Sequence, residues 1–397
     1  MTVPADAVPD VPAAADRRRL GRARSPAWRV RRRAGAAGSR PALAAALRPV
    51  WRARSSVQFG VDPARALVVD GVDEPTVRAL LGLDGARTEI EVLADAAADG
   101  LDPAVLGRVM EGLRAGGALT DAPAPPDRPA TGPPAHAGAP ATARLAPDRA
   151  ALSLLAGGDG AADTLLARRR DAAVVVHGAD RVGVALAALL AAAGVGHVHV
   201  VDRGSVRPAD VAPGGVAAAD LHRSRATAAS DAVRRSAPEV LTGPLEPGRL
   251  PDLVVLGSAR PVEEDLRAVL QNARLPHLPV GVRETTAIVG PLVLPGTTAC
   301  LRCTDLHRAE WDPAWPLLAA QLADERPRRA EPCDIVLATL AAAVGALQCL
   351  AQLDGGAPAS LGGTLELALP DWRLRRRSWP PHRHCDCDAR PAALGGG

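Results

Sequence analysis

Apolar positions fall in two patterned blocks with an unpatterned stretch between them. From Arg48 onward, short apolar runs near Val50 to Ala53, Val57 to Gly60 and Leu67 to Asp70, separated by polar or Gly/Pro turns, predict three strands. The spacing then becomes helical. Val77, Leu80 and Leu81 share one face of a helix expected from Glu74 to Leu83. A second helix opens at Thr88-Glu89-Ile90-Glu91, where the threonine hydroxyl can cap the amide three residues on while the glutamate reaches back. Asp102-Pro103 opens a third, which carries Leu106, Val109, Met110 and Leu113 and stops at Gly116-Gly117. Residues 45–120 are therefore expected to form one small α+β unit. Residues 121–150 are almost entirely Pro, Ala, Gly, Thr and Asp and read as a semi-stiff linker.

The second block, residues 151–397, opens on a buried strand from Ala172 to His177. The strand runs into Gly178-Ala179-Asp180-Arg181-Val182-Gly183 and an apolar helix that ends near Gly194. A second strand, His197 to Val201, ends in Asp202, about 20 positions after the loop, where a carboxylate can hold ribose hydroxyls. This β-α-β order predicts a Rossmann-like α/β fold. In the full glycine fingerprint the second glycine leaves room for phosphate at the helix N-terminus. Asp180 stands there instead, a side chain that fills the space and repels phosphate. The loop thus reads either as a nucleotide cradle or as a tight strand-to-helix turn and nothing more. Further on, Asp252 to Leu256 is expected as a strand and Asp334 to Leu353 as a helix.

Charge and composition narrow the partners. A net charge of +3 on 397 residues is too small for a nucleic-acid binder, although arginines cluster at the N-terminus and at Arg375 to Arg377. Residues 1–44 lack apolar periodicity and read as a disordered basic arm. Arg40, Pro41 and Arg48 interrupt what a signal core would need. The chain is read as lacking an apolar run of 18 or more residues free of charge and proline, so no membrane partner and a cytoplasmic location are expected.

Six cysteines, in two tight pairs and two singles, do not resemble a disulfide framework. Cys300 with Cys303, and Cys385 with Cys387, bring four thiolates within reach of one tetrahedral ion, and structural zinc is the expected occupant. His382 and His384 lie beside the second pair, so a histidine is an alternative fourth ligand. Cys333, just ahead of a helix, reads as a buried thiol or as an activated carrier, and Cys349 as core. The stretch Trp311 to Pro316 reads as a cover over the metal knuckle or as a partner-contacting surface.

The loop, Asp220-Leu221-His222-Arg223-Ser224-Arg225-Ala226, the strand to Leu256, and Pro295-Gly296-Thr297-Thr298-Ala299-Cys300-Leu301-Arg302-Cys303 come in an order that resembles the ThiF/MoeB family of ubiquitin-activating-type adenylyltransferases. The resemblance runs from about residue 150 to the end. It implies a fold that binds ATP with magnesium and adenylates the C-terminal carboxylate of a carrier protein. By that resemblance Gly178, Gly183 and Asp202 stand at the turn and ribose positions, and Arg225 replaces a phosphate-binding lysine. Asp210-Val211-Ala212-Pro213 stands where the family has Asn-x-x-Arg and lacks the arginine, and Ala259 stands at the magnesium aspartate. With Asp180, these changes imply a fold kept and an adenylating chemistry lost, so no catalytic residue is assigned.

Residues 45–120 resemble the winged-helix-like peptide clamp of ribosomal-peptide biosynthesis, the recognition element related to PqqD. That resemblance implies a leader peptide added as a strand between Leu67 to Asp70 and the helix Val105 to Leu113. A winged-helix DNA reader is the rival, but Arg108 and Arg114 are offset by Glu111 and Asp102. The fusion resembles the partner protein of azole-forming cyclodehydratases, in which a separate YcaO enzyme uses ATP. Three readings follow: a protein that presents a precursor peptide to a modifying enzyme, an active adenylyltransferase on a carrier or peptide C-terminus, or a scaffold without peptide ligand. A homodimer is implied by the family alone.

Overall fold

The computed structural model describes residues 38–44, 46, 47, 49–63, 65–122, 139–258, 260–323 and 332–389. Most of the expected basic arm, most of the linker, and Ala259 lie outside the described residues. In chain order the first unit comprises β1 (Pro41–Leu43), β2 (Pro49–Ala53), β3 (Ser56–Phe59), β4 (Leu67–Asp70), α1 (Glu74–Leu81), α2 (Glu89–Ala98), α3 (Pro103–Ala115) and β5 (Leu119–Asp121). Strands β2, β3 and β4 form an antiparallel sheet in that order, which leaves β4 at an edge. The outer pair corrects the sequence reading. β1 pairs with β5, Leu43 opposite Leu119, so Pro41–Leu43 is a strand and not part of the arm.

Local chemistry fixes the helix starts. The Asp73 carboxylate accepts from the Thr76 amide at 2.9 Å, and Asp102 accepts from the Ala104 amide at 2.8 Å. At Thr88 the capping box is complete: the Glu91 amide donates to the Thr88 hydroxyl at 3.3 Å, and Glu91 accepts from the Thr88 amide at 2.7 Å. Alternation on β3 sends Val57 and Phe59 inward onto Val77, Leu80, Leu106, Met110 and Leu113, which together form the core.

Helices begin inside the expected linker, at α4 (Ala139–Arg144) and α5 (Ala146–Ala156), followed by α6 (Asp159–Asp171). They join the two units. Leu154 of α5 packs on the first core, and Arg65 donates to the Leu154 carbonyl at 2.9 Å.

The second unit continues with β6 (Ala173–His177), α7 (Gly183–Ala192), β7 (His197–Val201), α8 (Arg225–Ser236), β8 (Leu253–Leu256), α9 (Glu264–Asn272), β9 (His277–Arg283), β10 (Thr286–Val289), α10 (Leu301–Trp311), α11 (Trp315–Ala323), α12 (Ile335–Leu353), β11 (Gly363–Ala368) and β12 (Leu374–Ser378). They build one seven-stranded sheet in the order β12-β11-β10-β9-β8-β6-β7. β7, β6, β8 and β9 are parallel, and β9 to β12 run antiparallel. The fold is therefore a Rossmann-like α/β domain carrying an antiparallel extension.

Burial on both faces explains the all-apolar strand β8. Leu253 and Val255 enter the main core with α7 and α12, while Val254 and Leu256 enter a second core with Cys300, Cys303 and Trp379. Helix α12 amends the reading of apolar runs. Its 19 residues carry no charge or proline and are long and apolar enough by composition to cross a membrane. Here one face of α12, with Leu337, Ala341, Ala342, Gly345 and Cys349, is buried against the domain core. Gly345 lets it approach: a Cβ there would lie 2.8 Å from Leu186 and 2.9 Å from Val280.

Candidate functional site

The strand order reverses between β6 and β8, and in open α/β sheets ligands bind in the crevice outside the strand ends at that point. Three glycines meet there. Gly178 has φ +108° and its Cβ would lie 3.1 Å from the Gly257 carbonyl; a Cβ on Gly183 would lie 2.1 Å from the Gly178 carbonyl. Gly257, in turn, would meet Gly178 and Gly183 at 3.2 Å. The glycines at 178 and 183 are thus required by close backbone packing, whatever is bound.

Asp180 turns back onto the helix it precedes. Its Oδ1 accepts from the amides of Val182 at 2.9 Å and Gly183 at 2.8 Å, the donors at the opening of α7. Burial pushes its carboxyl above the ordinary range, against the pull of the Gly183 and Val182 amides and of Arg225. Asp202 accepts from the Ala179 amide at 2.6 Å. Arg225 lies 3.4 Å from Asp202 and 2.8 Å from Asp210, so the guanidinium is held between two carboxylates. Arg181 donates to the carbonyls of Ala209 at 2.6 Å and Cys333 at 2.9 Å. Gly178, Asp180, Gly183, Asp202 and Arg225 therefore lie around one crevice, with Arg225 paired to Asp202 and the Asp180 carboxylate met by backbone amides. Asp210, which the family resemblance places at the head of the Asn-x-x-Arg segment, and Gly257, which no motif singled out, complete the group. Cys333 is half-buried at its margin; burial, then the nearby Asp180 charge, pushes its thiol up, away from the reactive thiolate form. Burial likewise raises the Cys349 thiol in the core.

Across the sheet, Cys300 stands immediately before α10 and Cys303 in its first turn, while Cys385 and Cys387 lie in the tail after β12. Sulfur separations are 3.7 Å for Cys300 to Cys303, 3.6 Å for Cys300 to Cys385 and 3.5 Å for Cys303 to Cys387. All four lie within 4.8 Å of one another. Zinc–sulfur bonds of ~2.3 Å in a tetrahedron place sulfurs about 3.8 Å apart, so the donor set fits one such ion. The hydrogen bond from Cys300 lowers the Cys303 thiol to about 4, and the same bond drives Cys300 upward. The His382 amide donates to the Cys303 sulfur at 3.3 Å, but the His382 ring turns to Glu310, with Nε2 3.0 Å from Oε1. The cluster is made of four cysteines, with no histidine among them.

Trp379 anchors the tail, 5% exposed and donating to the Thr364 hydroxyl at 2.7 Å. Trp311 packs on it at 5.6 Å yet is itself 62% exposed, so the tryptophan stretch both covers the knuckle and faces outward. In the first unit, Arg114 of α3 is drawn inward to Glu89 at 2.7 Å, which takes from that helix one of the cations a nucleic-acid reader would use.

Architecture and site define the class: a Rossmann-like domain with a four-cysteine knuckle, led by a small α+β unit. Residues 156–389 match the ThiF family, well over half of the chain, and the protein belongs to that family. No curated protein matches the sequence. Among solved structures, the chain is similar in fold to MccB from E. coli bound to ATP, at 14% identity and a TM-score of 0.60, with 87% of this chain and 98% of that one covered. The microcin C7 biosynthetic enzyme MccB in complex with N-formylated MccA gives 14% identity and 0.61, covering 88% and 99%. PaaA gives 15% identity and 0.60, covering 84% and 99%.

Proposed function

We propose that this ThiF-family protein captures a precursor peptide with its first unit and presents it to a separate peptide-modifying enzyme of the YcaO type, its own nucleotide crevice being closed. One observation carries the reading. The Asp180 carboxylate accepts the two amides at the opening of α7 that a phosphate would need. The pairing of Arg225 with Asp202 and Asp210 supports it, because a phosphate arriving there would have to displace a carboxylate. For the peptide, β4 offers an edge for strand addition, with Leu67 and Val69 turned to the core that includes α3. Cys300, Cys303, Cys385 and Cys387 are proposed to hold structural zinc, which leaves no open position for catalysis. A homodimer accompanies the proposal by family resemblance, and a reducing cytoplasm by the paired cysteines.

A second reading, an active adenylyltransferase on a peptide or carrier C-terminus, is favoured by the near-complete coverage of MccB, a protein solved with ATP and with the peptide MccA. ATP would then sit at Gly178, Gly183, Asp202 and Arg225, with Ala259 in the place of the magnesium aspartate. ATP–pyrophosphate exchange, run with and without candidate precursor peptides, separates the two. The first reading expects no exchange together with measurable peptide binding. Robust peptide-dependent exchange would overturn it in favour of the second, and absence of any peptide binding would leave only a scaffold.

A further inference from the structure

We infer that His307, Glu310 and His382 form a second divalent-metal site, distinct from the four-cysteine cluster and built from the same two segments. His307 and Glu310 are three residues apart on α10 and share a face; His382 comes from the tail between Trp379 and Cys385. One donor atom from each of the three lies within 4.8 Å of the others. His307 Nδ1 is 3.7 Å from Glu310 Oε2, and His382 Nε2 is 3.0 Å from Glu310 Oε1. Ligand bonds of ~2.0 to 2.2 Å in a tetrahedron call for donor separations of about 3.3 to 3.6 Å, between these two values, which run to different oxygens, so one oxygen would reach a shared ion after the carboxylate turns.

The surroundings point to an ion. The His382 side chain is 3% exposed, and its Nε2 faces the Glu310 carboxylate at 3.0 Å. His307 is already oriented for ligation through Nδ1, because its Nε2 donates to the Pro380 carbonyl at 3.0 Å, the arrangement that fixes tautomer and ring in metal-bound histidines. The two rings meet edge to face with centroids 4.6 Å apart. Glu310 is 44% exposed, so the open side faces solvent and leaves room for a water or an external donor. Two imidazoles and a carboxylate suit zinc, cobalt, nickel or ferrous iron.

Two contacts set the strength of the site. Arg383 reaches Glu310 at 3.6 Å, and being 78% exposed it can swing away when a cation arrives. The His384 amide donates to His382 Nδ1 at 3.1 Å, so without metal the ring proton is on Nε2. Ligation moves that proton to Nδ1 and breaks the hydrogen bond from the His384 amide. The second site is therefore weaker than the thiolate cluster and fills after it.

The full-length protein, loaded with one equivalent of zinc, is titrated with cobalt(II). A second equivalent is expected to bind, with weak visible d–d bands and no sulfur charge-transfer band, and to shift the His384 amide resonance. Glu310→Gln and His307→Gln are expected each to weaken that equivalent at least tenfold while the first zinc and the circular dichroism stay unchanged. Saturation at one metal per chain would overturn the inference. So would a second equivalent that survives both substitutions, or one that brings a sulfur band.

Discussion

Asp180 places a carboxylate where a phosphate-binding loop keeps empty space, and its environment gives the substitution a measurable signature. Burial raises its folded pKa above the unfolded value. The folded state therefore holds the proton more tightly, and the ionised carboxylate costs stability as pH rises from the unfolded value through the folded one. Asp180→Asn can still accept the Val182 and Gly183 amides and carries no such cost. We expect its melting temperature to exceed that of the wild type at about pH 8, with the gap closing below about pH 4. A constant gap across that range in thermal melts would mean that the carboxyl does not titrate differently in the folded state. At this scale the sequence spoke clearly. Asp180 was legible because the glycine pattern names the position it occupies. Arg225 was legible only through the family, and its fixation by Asp210 depended on a loop conformation that no local pattern encodes.

At the scale of elements, the first unit followed its periodicity closely, since each helix start carries its own capping side chain. Thr88→Ala removes the hydroxyl half of the capping box and leaves the amide of residue 88 still able to donate to Glu91. The expected loss is about 1 kcal/mol, read as a lower denaturation midpoint with an unchanged slope. An unaltered midpoint would show that α2 is held by packing alone. The elements missed by sequence are those whose partners are remote. Pro41–Leu43 is a strand because β5 returns beside it after α3, and the hairpins β9–β10 and β11–β12 join one sheet only where β10 meets β11 across α10, α11 and α12. His307-x-x-Glu310 has a spacing that marks one helix face, yet it gained meaning only when the tail delivered His382.

The whole molecule is closed by the cysteines. The pair on α10 and the pair in the tail are more than eighty residues apart and straddle α11, α12, β11 and β12. A shared ion therefore ties the last strand and tail to the second core. Structural zinc contributes roughly 10 to 16 kcal/mol of binding free energy in small peptides, larger than the stability of most domains. Removing the metal with a strong chelator, or substituting Cys387→Ser, is expected to lower the melting temperature sharply and to expose Trp379, which red-shifts the tryptophan emission. A metal-free protein with the same melting curve would refute the structural role.

By itself the sequence determined the two units, the β-α-β start of the second, and the four cysteines. Periodicity, capping residues and paired thiols are local signals that survive without a fold. Only the tertiary structure decided that Asp180 closes onto its own helix, that Arg225 is already neutralised, and that a histidine pair and a glutamate meet beside the knuckle. Those outcomes depend on which loops and tails reach one another, and long-range contact is set by the packing of the sheet rather than by any neighbouring residue.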